Sequence, residues 1–236
     1  MKSTYYFFLC MIALLGGQHA AQAHAIWLES DAFGTKGKAQ QVRVYYGEYA
    51  TGEMEKTADW YSDLRSIEVY VLKPDQSAVK LTLEDKGDYF ESTFTPEADG
   101  NYLLYTTHPA KDLGGQMRYE FTSQIAVQVG GASELAAGKL PYQLMAPVKK
   151  HRAGGQVTLV LTKDGQPVKD QDVLVMTSAG WSKTYKTDAQ GQIQVEALWP
   201  GNYVAEYSHV EKVGGSWHGK EYTSAWQGLT TSFKVN

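Results

Sequence analysis

Short runs in which apolar and polar residues alternate with period two constrain the fold of this chain more than any other feature. QVRVYY (41–46), IEVYVL (67–72), VKLTL (79–83), YFESTF (89–94) and QIAVQV (124–129) are separated by turn residues such as Pro74-Asp75, Lys86-Gly87-Asp88 and Asp99-Gly100-Asn101. Period two sends alternate side chains to opposite faces of a strand, so each run has one face to bury. Short, regularly spaced strands joined by Gly, Pro and Asp turns predict an all-β sandwich over residues 24 to about 130.

The segment VGGASELAAGKLP (129–141) loses the alternation, and a second set of strands follows it. GGQVTLVLTKDGQPVKDQDVLVMT (154–177) reads as strand, Asp164-Gly165 turn, strand, and TDAQGQIQVEALWPGNYVAEYSH (187–209) carries a Pro200-Gly201 corner into a further strand. The order G-x-P-V, T-D-x-x-G, P-G-x-Y resembles transthyretin-like, or carboxypeptidase-regulatory-like, sandwiches. The expected organisation is a removed leader over 1–23, an N-terminal immunoglobulin-like β-sandwich over 24–135 and a transthyretin-like β-sandwich over 136–236. The two halves echo each other: GNYLLYTTH (100–108) and GNYVAEYSH (201–209) share Gly, Asn, Tyr and the last His at identical spacing.

The leader is read from Lys2, an apolar run from Tyr5 to Leu15 and the small-residue triplet Ala21-Gln22-Ala23, the layout of a secretory signal peptide. The run is too short to cross a bilayer, so the expectation is a periplasmic or secreted chain without a stable membrane anchor. The single cysteine, Cys10, falls inside the leader, which leaves the processed chain without thiolate ligands, disulfides or a cysteine nucleophile. A net charge of −4, with no basic run longer than Lys149-Lys150, excludes a nucleic-acid footprint and suits a cationic partner. No nucleophile elbow, Walker loop, Rossmann fingerprint or H-E-x-x-H is present, so no enzymatic activity is expected.

Cleavage after Ala23 would make His24 the first residue, and a terminal histidine offers its α-amine and ring Nδ1 to one metal ion together. The amine has an ordinary pKa of about 7.7–8.0, so binding must displace its proton and weakens as pH falls. Imidazole suits nickel, copper, zinc or iron. Completing ligands are sought among His108, His209 and Glu48, with His218, Met54 and Met117 as further candidates.

HAIWLES at 24–30, YYGE at 45–48, RYEFTSQIAVQVG at 118–130, GQPVKDQDVLV, PGNYVAEYSH and the ending EYTSAWQGLTTSFKV occur along one chain. On these pieces the sequence resembles a periplasmic family associated with nickel and cobalt transport. The most specific pieces are His24 with Trp27, and Glu221, Tyr222, Ser224 and Trp226. The resemblance implies a metal-binding accessory protein that passes nickel or cobalt to a membrane transporter, with His24 and His209 as ligands and copper as a further possible metal. Two other readings stand beside it. A histidine-brace copper monooxygenase would need a second histidine beside His24, and a carbohydrate-binding or adhesion module would use Trp60, Trp181, Trp199, Trp217 and Trp226.

Overall fold

The computed structural model describes residues 24–131 and 140–236, so the leader and most of the segment joining the two expected halves lie outside it. The described chain is all-β, with only two 3-10 turns, Thr57–Asp59 and Leu64–Ser66. A five-stranded sheet contains the leading strand Ala25–Glu29 beside Gln40–Glu48, then Phe90–Phe94 and Glu84–Asp85, with Glu53–Met54 folded back on the end of Gln40–Glu48. A four-stranded sheet contains Tyr142–Met145, Gln156–Lys163, Gln166–Pro167 and Gln192–Glu196.

Between them runs a nine-stranded sheet shared by both halves of the sequence. Its middle order is Asp172–Thr177, Gly201–Glu211, the closing strand Ser224–Val235, Met117–Val129 and Gly100–Pro109. The closing strand pairs antiparallel with Gly201–Glu211 and parallel with Met117–Val129. Period two then divides its side chains: Leu229, Phe233 and Val235 enter the second core, whereas Trp226 enters the first. The five-stranded and four-stranded sheets therefore pack on opposite faces of one continuous sheet.

Two sandwich cores result. Ile26, Leu28, Val42, Val44, Leu104, Phe121 and Ile125 belong to the first, and Leu144, Leu159, Val175, Val195 and Tyr203 to the second. The repeated GNY segments are corners of the same kind. The Tyr102 hydroxyl donates to the Ala98 carbonyl at 2.9 Å and accepts from the Ala98 amide at 3.1 Å; Tyr203 does the same to Trp199 at 3.0 and 3.2 Å. The Asp164-Gly165 turn is also present, with φ of +50° and +77° joining Gln156–Lys163 to Gln166–Pro167.

The leading strand lies across the shared sheet and is tied to it by buried hydroxyls. Thr230 Oγ1 donates to the Ile26 carbonyl at 2.6 Å, Ser232 Oγ donates to the Leu28 carbonyl at 2.5 Å, and the Leu28 amide donates to Ser123 Oγ at 3.0 Å. Trp27, fully buried on the other face of the leading strand, stacks on Tyr45 at 5.4 Å and meets Tyr49 edge-on at 5.1 Å, in a cluster with Val204 and Met176 from the second half. The start of the strand, where His24 stands, is thereby held against residues from both ends of the chain.

Candidate metal centre

His24 immediately precedes the leading strand, whose first residue, Ala25, pairs with Gly47. Gly47 has φ +151°, and a Cβ there would meet the Glu53 carbonyl oxygen at 2.2 Å. Only glycine lets the chain return so closely after the Thr51-Gly52 turn. That return places Glu48, Glu53 and Glu55 around the start of the leading strand.

The His24 ring Nε2 lies 3.0 Å from Glu55 Oε1. An ionised carboxylate only accepts, so Nε2 carries a proton in this pair, and in the neutral ring it is Nδ1 that keeps the lone pair. Metal-binding imidazoles are oriented in this manner, one nitrogen on the metal and the other donating to a carboxylate. Glu48 is buried and within electrostatic reach of His24. Burial pushes its carboxyl above the ordinary value, the His24 charge pulls it down, and Glu53 raises it further. Behind it, Glu206 is pushed up to about 7, chiefly by burial and then by the charge of Glu48. Neither Glu48 nor Glu206 has an ion-pair partner among the described residues. Two buried acids beside a histidine favour either a retained proton or an added cation.

The other expected ligands lie elsewhere. His108 follows Thr106 on the inner face of Gly100–Pro109, and its Nε2 bonds Asp63 Oδ1 at 3.0 Å. Burial raises the Asp63 carboxyl, but the hydrogen bonds from His108 and the Lys111 amide outweigh it and leave it below the ordinary range. His209 shares a face of its strand with Tyr203 and Tyr207, opposite to Glu206, so the shared sheet separates it from Glu48. Its ring stacks on Tyr207 at 5.5 Å and lies 4.9 Å from Tyr142. Its Nδ1 is buried without a hydrogen-bond partner among the described residues, and burial holds its pKa down. It thus lacks the acceptor that would orient a ligating ring.

Of the lesser candidates, His218 sits against Trp217 at 4.8 Å on an exposed turn, Met54 is exposed near Gly47, and Met117 packs partly buried against the first core. Among the described residues no second histidine meets His24, whose one ring contact there is Tyr46 at 5.4 Å. Among the described residues no three His, Asp or Glu side chains are grouped closely enough to hold a metal. The donor set at His24 fits a metal only in part: Nδ1 has no hydrogen-bond partner among the described residues, Glu48 lies within electrostatic reach, and further donors would be needed. Glu55 and Glu206 were not anticipated from the sequence. The signal for Glu206 was a lone acid in an otherwise buried alternation, VAEY at 204–207.

The tryptophans are mostly structural. Trp60 and Trp226 are core residues, Trp181 and Trp199 meet edge-on at 6.1 Å, and the Trp217 indole donates to the Ala110 carbonyl. Among the described residues no helix is long and apolar enough to cross a membrane.

Residues 21–211 match the model of a family described as a domain of unknown function, DUF4198. None of the curated proteins matches the chain. Among solved structures, trypsin-activated alpha-2-macroglobulin from Escherichia coli aligns at 12% identity over 88% of this chain and 16% of that one, with a TM-score of 0.29. Its native conformation aligns at 10% identity over 89% and 14%, TM-score 0.30. This chain therefore spans about a sixth of the length of those proteins or less. A segment of two fibronectin type-III domains from chicken tenascin aligns at 11% identity over 88% of this chain and 97% of that one, TM-score 0.25.

Proposed function

The chain belongs to the DUF4198 family, and we propose that it is an exported accessory protein that binds a divalent transition metal as cargo and hands it to a membrane uptake system. Nickel or cobalt is the cargo favoured by the family resemblance. Copper would compete at any such nitrogen site, since it forms the strongest complexes of the first-row divalent ions.

One observation carries the reading: the Glu55 carboxylate accepts a hydrogen bond from His24 Nε2, which leaves Nδ1, the ring nitrogen nearer the residue's own backbone in the covalent structure, without a hydrogen-bond partner among the described residues. Cleavage after Ala23 would turn that nitrogen into a primary amine, and amine and Nδ1 would close a chelate ring on the metal. Glu48 supplies the adjoining carboxylate, and Glu55 orients the ring. The copper-monooxygenase reading lacks its second imidazole at His24. The glycan reading lacks an exposed tryptophan platform among the described residues.

The test is calorimetric titration of nickel into processed protein whose first residue is verified as His24 by mass spectrometry. A second sample carries one alanine inserted ahead of His24, which keeps the imidazole and both carboxylates but converts the amine of His24 into an amide, and the titration is run at pH 7 or below so that this amide keeps its proton. The insertion is expected to weaken nickel binding by at least about tenfold, the lower end of the effect of losing even an outer-shell contact. An affinity changed by less than that overturns the terminal chelate.

A further inference from the structure

His24 also forms one side of a cavity of about 260 Å³ lined by Tyr46, Tyr61, Tyr119, Phe121 and Trp226. Phe121 is its floor: its ring lies 5.8 Å from Tyr46 at a near-perpendicular angle, 6.5 Å from Tyr61, 6.3 Å from Tyr119 and 5.3 Å from Trp226. Tyr61 and Tyr119 meet edge-on at 5.8 Å to make one wall, and His24 with Tyr46 makes the opposite wall. No ring contact joins Tyr46 to Tyr61 or Tyr119 among the described residues, so the gap lies between these walls. Gly114 keeps the first wall in place, since a Cβ there would come within 2.4 Å of the Tyr119 ring.

The box is electron-rich and unfilled by the chain's own cations. The Tyr46 hydroxyl is within electrostatic reach of Glu55, Tyr61 and Tyr119. Glu55 uses Oε1 for His24, while its Oε2 receives no hydrogen bond from the described residues. Every Lys or Arg placed over a ring among the described residues is elsewhere: Arg43 on Tyr89, Arg118 on Trp217 and Tyr222, Lys163 on Tyr142, and Lys183 on Tyr185. Aromatic faces attract a cation through their quadrupole, most strongly where water is excluded, and a nearby carboxylate adds to that field.

We propose that this box binds an organic ammonium ion of the trimethylammonium class. Methyl groups meet the rings, the positive charge is held by the π-faces, with Glu55, bonded to the lining residue His24, adding to the field from outside the lining, and no hydrogen bond to the nitrogen is needed. This goes beyond the metal reading and does not depend on it, because the rings and Glu55 are present in metal-free protein.

The test uses full-length processed protein treated with chelator. Choline and its neutral isostere 3,3-dimethyl-1-butanol are titrated separately and followed by tryptophan fluorescence and calorimetry. Choline is expected to bind at least about tenfold more tightly than the isostere, the scale of a desolvated cation–π interaction. Tyr119→Leu, which keeps apolar volume but removes a π-face, is expected to erase that preference. Equal affinities for the two ligands would reduce the box to a simple apolar pocket and overturn the proposal, as would saturation by neither. Because the comparison between ligands is made on unaltered protein, a variant that fails to fold does not blunt it. Failure to bind choline leaves the nickel titration unaffected, and the reverse also holds.

Discussion

At the scale of single residues, the candidate site depends on where protons sit. Glu55 orients the His24 ring, and Glu48 and Glu206 are acids that the protein holds away from solvent without an ion-pair partner among the described residues. The sign for Glu206 follows from its raised value. Its folded-state pKa of about 7 exceeds the ordinary 4.5, so the folded protein binds the proton more tightly than the unfolded chain. That contribution to stability is fully present below pH about 4.5 and is lost as pH rises through about 7, by about 3 kcal/mol in all. In chelator-treated protein, Glu206→Gln should gain in urea midpoint relative to wild type at pH 8 and show little advantage at pH 4.5. An advantage of the same size at both pH values would show that Glu206 does not titrate in this window. Glu48 was a candidate from the sequence, whereas Glu55 and Glu206 escaped it, Glu55 for a physical reason. Glu55 reaches His24 only because the chain doubles back at Gly47, and a bulge-like return leaves no periodic trace. His209 was conspicuous as an imidazole, yet the same alternation that makes its strand legible places it on the face opposite Glu206.

At the scale of elements, the leading strand is positioned by more than its pairing with Gln40–Glu48. Its other edge is satisfied by hydroxyls from the shared sheet, and these bonds hold the strand at one height over Met117–Val129 and the closing strand. Thr230→Val keeps the shape but leaves the Ile26 carbonyl without this donor and removes the contact between Thr230 Oγ1 and Ser123 Oγ at 2.9 Å. Losing a buried hydrogen bond and stranding its partner costs about 1–3 kcal/mol. The urea midpoint should fall accordingly with an unchanged slope; an unchanged midpoint would mean that the hydroxyl is not needed to seat the strand. Strands, hairpin turns and the paired tyrosine corners were legible because each depends on neighbours within a few residues, as Tyr102 with Ala98 and Tyr203 with Trp199 demonstrate. Hydroxyl ties such as Thr230 to Ile26 join residues far apart in sequence, and a threonine in a strand announces nothing of its partner.

At the scale of the whole molecule, the all-β chain encloses two cores that are joined through one sheet. The closing strand contributes Trp226 to the first core and Phe233 to the second, so both halves depend on the same twelve-residue segment. Parallel pairing between Met117–Val129 and the closing strand is a non-local choice that period two cannot reveal. It also brings together the two most specific pieces of the family resemblance, since His24 and Trp226 line one cavity. The account stands on His24 presenting Nδ1, with its own amine, to a metal while Glu55 keeps the proton of Nε2. The most direct measurement is 15N NMR of processed, histidine-labelled protein, recorded before and after addition of zinc as a diamagnetic probe. The account predicts a protonated Nε2 on His24 in both states and a metal-induced shift confined to Nδ1; a shift of Nε2 instead, or His24 resonances that zinc leaves unchanged, would contradict it.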